Sequence, residues 1–76
     1  MNPQLIISNH AKKRMIQRHF NAKDICHVLN NFNISVPAGK PDRVRYAGTL
    51  TDGRTLNVVI TPDLQEPGPY TVVTVY

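Results

Sequence analysis

The chain has 76 residues, 41% of them hydrophobic and 18% charged, which predicts one folded domain over residues 1–76 and excludes an extended disordered tail. The net charge is +4 and unevenly placed: residues 1–23 carry Lys12, Lys13, Arg14, Arg18 and Lys23 without one Asp or Glu. A basic field segregated in this way favours a polyanionic partner, either nucleic acid or an acidic protein.

Residues 1–7 read as an extended segment with Leu5, Ile6 and Ile7 laid against the core. Ser8 is a suitable N-cap, because its hydroxyl can accept from an unsatisfied amide at a helix start. The helix that follows puts Ala11 and Met15 on one side, with Ile16 at its edge, and is expected to end near His19 or Phe20. Within it His10, Arg14 and Arg18 recur every four residues, so each stands about 6 Å above the last in one slanting row. That row borders the apolar side of the helix, where it could line a groove. Asn21 then caps a second helix, with Asp24 three residues on as the partner of a capping box. From Ala22 to Phe32 the pattern is amphipathic, with Ala22, Ile25, Cys26, Val28, Leu29 and Phe32 on one face. Residues 30–42 are rich in turn formers and read as the connection into a sheet.

From Arg43 the period changes to two. Two runs flank Thr51-Asp52-Gly53, and the apolar pattern selects a three-residue loop over a two-residue one. The three-residue loop pairs Leu50 with Arg54, Gly48 with Leu56, Tyr46 with Val58 and Val44 with Ile60, with Gly53 in the left-handed position of a G1 bulge. It leaves Arg43, Arg45, Thr49, Thr55, Asn57 and Thr61 on the opposite face. After a loop at residues 62–69, residues 70–76 form a third strand on which Thr74 and Tyr76 share a face. The expected architecture is α+β: two N-terminal helices packed on a three-stranded antiparallel meander, in the order α-α-β-β-β, as a two-layer sandwich.

Among the residues that could carry chemistry, the row of His10, Arg14 and Arg18 is the sharpest. RNA phosphodiester cleavage needs a base for the 2′-hydroxyl, an acid for the leaving oxygen and cations on the phosphate. His10 suits the first two roles, and Arg14 and Arg18 suit the third. The plainer alternative is a helix edge whose arginine stems cover the core. Lys12, Lys13, Arg43, Arg45 and Thr74 are candidate nucleic-acid contacts, although polar residues are also what any solvated sheet face carries. No cofactor or metal is expected, since His10 and His19 point nearly opposite ways on one helix. Cys26, the single cysteine, can form no intramolecular disulfide and reads as packing. The isolated glycines form no phosphate loop. No apolar run approaches the ~20 residues of a membrane span, and the N-terminus lacks the pattern of a secretory signal. A cytoplasmic protein without a membrane partner is therefore expected.

The run His-Ala-Lys-Lys-Arg-Met-Ile-Gln-Arg, with Arg-Val-Arg-Tyr, Gly-Arg-Thr-Leu-Asn-Val-Val and a closing Val-Val-Thr-Val-Tyr, resembles the family catalogued as domain of unknown function 4258. The likeness spans residues 8–76 and is most specific at His10, Ala11, Arg14, Met15 and Arg18. Members look like relatives of the barnase/RelE-like ribonucleases and toxins. The resemblance thus implies an RNA-cleaving domain of a toxin–antitoxin or related system, with RNA as substrate and an acidic antitoxin or immunity-type protein as partner. It carries over to His10, Arg14 and Arg18, and less closely to Arg45 and Thr74. The family usually places Gly after the last arginine of the motif. Here His19 stands there, which predicts a slightly longer first helix.

Overall fold

The computed structural model describes residues 4–39 and 42–76. The extended reading of residues 1–3 and the turn at Lys40 and Pro41 lie outside the described residues. The elements, in chain order, are β1 (Leu5–Ile7), α1 (Asn9–Arg18), α2 (Ala22–Asn30), β2 (Ile34–Pro37), β3 (Val44–Thr49), β4 (Thr55–Thr61) and β5 (Tyr70–Val75).

Local signals act as their chemistry requires. The Ser8 hydroxyl accepts from Ala11 N at 3.0 Å, and Asn21 and Asp24 form the reciprocal capping box. The β3–β4 hairpin has the three-residue loop: Leu50 N donates to Arg54 O at 2.8 Å and Gly53 N to Leu50 O at 2.9 Å. Gly53 has φ +92°, where a side chain would be strained. The pairs Val44–Ile60, Tyr46–Val58 and Gly48–Leu56 follow, and they bring Tyr46, Leu56, Val58 and Ile60 into the core with Ala11, Ile25 and Val28.

The three-stranded meander is not what forms. The sheet has five strands in the order β1-β5-β4-β3-β2, with β1 parallel to β5 and the other pairs antiparallel. The two additional strands have only three and four residues, too few for a period of two to stand out. β2 contains Pro37, which an edge strand tolerates because one side of its backbone needs no partner. The third strand of the expected meander is consequently interior, with β1 along its outer side. Helices pack on one face of this sheet only: α1 lies against β5, and α2 against β4 and β3. Among the described residues no helix is long and apolar enough to cross a membrane.

Several side chains depart from their expected places. Ile6 pairs with Thr71, on the face away from the helices, and is 54% exposed, whereas Leu5 and Ile7 pack against the core. Ile16 is solvent-facing. On α2, Ala22 is exposed and Cys26 half-buried, and the helix ends at Asn30, before Phe32.

α1 does not run long. It ends at Arg18 because His19 itself adopts the left-handed conformation, φ 60° and ψ 43°. His19 N then bonds to Ile16 O at 3.4 Å and Phe20 N to Met15 O at 2.9 Å, the two closing bonds of a Schellman turn. A non-glycine residue there costs about 1 kcal/mol. His19→Gly is accordingly expected to raise stability by about 0.5–1 kcal/mol in urea unfolding with an unchanged m-value; a fall in stability would contradict this account of the turn.

Candidate nucleic-acid interface

α1 is held at both ends by partners distant in the sequence. At its start, Ser8 N donates to Val72 O at 3.1 Å and the Ser8 hydroxyl donates to Val73 O at 2.9 Å. The second bond answers an irregularity in the sheet. Val59 pairs with Thr74 and Ile60 with Val72, so Val73 is an extra residue on β5 whose carbonyl is left for Ser8. At its end, Arg54 Nη1 donates to Arg18 O at 3.2 Å and His19 O at 3.1 Å. The same guanidinium lies 4.8 Å from the centre of the Phe20 ring and pairs with Asp52 at 2.7 Å. A cation on the last carbonyls meets the negative end of the helix dipole.

Held in this way, α1 presents His10, Arg14 and Arg18 in the expected row. Arg14 is half-buried beside Ala11 and Met15, while His10, Arg18, Lys12 and Lys13 are exposed. Among the described residues the only ion pair is that of Arg54 with Asp52, so these side chains are neutralised by none of the described carboxylates. The first turn of α1 holds no acid. The result is a cationic ridge with an imidazole at one end, suited to successive phosphates of a strand laid along the helix.

The structure does not bring the sheet candidates to this ridge. Arg45 pairs with Val36 on one side and Val59 on the other, and Val59 with Thr74. These four alternate with the core residues Tyr46, Val58, Val72 and Val75 and therefore point away from the helices. Arg43, two residues before Arg45, belongs to the same side. His10, Arg14, Arg18 and Lys13 thus share the helix side of the sheet, with Lys12 on the opposite flank of α1, and Arg43, Arg45 and Thr74 lie on the other side of the sheet.

On that second face Arg45 Nη1 donates to Asn57 Oδ1 at 2.7 Å, and Asn57 Nδ2 to Tyr76 O at 3.3 Å. Elsewhere, a shallow depression of about 520 Å³ runs along α2 between Lys23, Cys26, His27 and Asn30, and none of the candidate residues lines it. His27 Nε2 lies 3.2 Å from Thr49 O. Among the described residues no group of three His, Cys, Asp or Glu side chains is placed to hold a metal ion.

Arg54 is the positioning residue that the motif does not reveal. Its partners are 36 and 35 residues away, and nothing in the hairpin sequence that carries it points to α1.

Residues 7–76 match the family described as Domain of unknown function (DUF4258), and the chain belongs to that family. Neither a curated protein nor a solved structure matches it.

Proposed function

We propose that this member of the family binds RNA along α1 and cleaves it there, as a metal-independent endoribonuclease of the barnase/RelE-like toxin type. The observation that carries the proposal is the ridge itself, an acid-free helix face whose His10, Arg14 and Arg18 have no ion-pair partner among the described residues. In this reading His10 accepts the proton of a 2′-hydroxyl as its oxygen bonds to phosphorus. The imidazolium or water returns a proton to the departing 5′-oxygen. Arg14 and Arg18 hold the phosphate as charge accumulates on its oxygens, and Lys12 and Lys13 strengthen the field. An acidic antitoxin or immunity-type protein would neutralise the domain by covering the same ridge.

A second reading, a basic module that holds nucleic acid or an acidic protein without cutting, is favoured by one feature. Among the described residues nothing hydrogen-bonds the His10 ring, so no side chain orients the imidazole toward a scissile bond.

Total RNA incubated with the folded protein in EDTA separates the two. Fragmentation supports the first reading, intact but bound RNA the second, and RNA neither bound nor cut overturns both. Replacing Arg14 and Arg18 together by Ala is expected to weaken RNA binding and to lower the slope of log K against log[salt] by about 1.4, about 0.7 for each single-strand phosphate that is no longer neutralised. An unchanged slope would remove both arginines from the interface.

A further inference from the structure

The face of the sheet away from the helices carries no helix or strand of the described chain, yet it is not composed like a simple solvated surface. Of the five exposed large hydrophobic residues among those described, three project from it: Ile6, 54% exposed, Ile34, 50%, and Tyr76, 45%. Between them Ala47 and Val59 are almost fully shielded by their neighbours, so the centre of the face is a low apolar floor bounded by longer side chains. The only charge at that centre is Arg45. Its guanidinium is steadied by the bond to Asn57, which uses one of its five N–H donors and leaves the others open. Arg43 lies at the margin, as does Asp42, which is bonded to the Thr61 hydroxyl at 3.0 Å, and no described lysine projects from this side.

We propose that this open face is a docking surface for an acidic, extended segment of another protein, bound through a carboxylate on Arg45 and apolar side chains against Ile34 and Tyr76. Three observations select that occupant. Tyr and Arg around an apolar centre is the composition of protein interfaces, whereas a nucleic-acid strand asks for a longer row of cations along its path, as α1 supplies. A second copy of this chain is disfavoured, because the one described carboxylate it could offer to Arg45 from this face, that of Asp42, lies at the margin and is already bonded to Thr61. Size points to a segment. Four inter-strand spacings of about 4.8 Å, and strands about 20 Å long, give a face on the order of 400 Å², about half of what each side of a standard interface between folded proteins buries. This surface is separate from the α1 ridge and stands whether or not RNA is cleaved.

The test is to pan a random 12-residue phage-displayed peptide library on the full chain, counter-selected against Ile34→Lys/Arg45→Glu. The most enriched peptides are then synthesised and titrated into ¹⁵N-labelled protein. Peptides combining Asp or Glu with apolar residues are expected to bind with micromolar dissociation constants and to shift amides of Arg45, Asn57, Val59 and Tyr76. They should bind the double variant at least tenfold more weakly and Arg14→Glu equally well. Failure to enrich, shifts centred on α1, or equal binding to the double variant would overturn the proposal. So would a 12-nucleotide oligouridylate that shifts the open face rather than α1. Ile34→Lys alone, an exposed edge-strand change, replaces the double variant if the amide spectrum of the latter shows loss of folding.

Discussion

RNA cleavage by His10→Ala is expected to fall by roughly 10²- to 10⁴-fold, the usual worth of a positioned general acid or base, while RNA affinity stays within about twofold of wild type. The split follows from the ridge. Arg14, Arg18, Lys12 and Lys13 remain in place on a helix whose two anchors, Ser8 on β5 and Arg54 on the last carbonyls, do not involve the imidazole. Circular dichroism should therefore be unchanged, and single-turnover cleavage of a labelled RNA in EDTA, beside a filter-binding isotherm, gives both numbers. Loss of cleavage with retained affinity assigns His10 to the chemistry. Equal cutting by the variant would remove it and return the ridge to the binding-only reading. A parallel loss of affinity would make His10 a binding group, since catalysis and binding would then have fallen together.

Tyr46→Phe is expected to destabilise the fold by about 2 kcal/mol at pH 7 and to remove a distinct alkaline limb of its stability. Tyr46 is buried, and its ring meets that of Phe32 edge-on with centroids 4.6 Å apart. Its hydroxyl donates to the Asp63 carboxylate and accepts from Leu64 N at 3.3 Å. The Tyr70 hydroxyl reaches Glu66 O, at 2.6 Å, in the same loop. The two tyrosines thereby pin residues 62–69 to the core, and a hydrogen bond to a charged group contributes about 1.5–3 kcal/mol.

Burial, and then the bond to Asp63, push the Tyr46 hydroxyl up from 10.0 to about 12. Because the folded value is the higher one, the folded state holds the proton more tightly. The stabilisation is complete below pH 10 and is lost as the pH rises from 10 through 12. Urea midpoints at pH 7 and pH 11 should therefore differ more for wild type than for Tyr46→Phe. If the two proteins lose stability in parallel over that range, the alkaline sensitivity lies elsewhere. At pH 7 the variant should melt roughly 8–16 °C lower, by the usual conversion for a domain of this size.

Local patterns were enough to determine several parts of this protein. Ser8 and Asn21 start helices because a short oxygen-bearing side chain satisfies an amide three residues on. The hairpin register followed from alternation and from Gly53, the residue that tolerates the required positive φ. The spacing of His10, Arg14 and Arg18 is a property of any α-helix, so their row was legible before any tertiary contact was known.

The tertiary structure decided what no short window contains. Leu5–Ile7 became a strand because β5 was there to pair with it, and Ile34–Pro37 because β3 was; neither segment is long enough to show a period. The end of α1 depends on Arg54, and its start on an extra residue in β5, both contributed by chain far away in sequence. Helical periodicity tells which side of α1 is buried, and strand alternation tells that Arg45 and Thr74 avoid the core. Neither tells on which side of the sheet the helix will lie. That choice is made by packing, and it divides the basic residues into a cationic ridge on one side and an arginine-centred open face on the other.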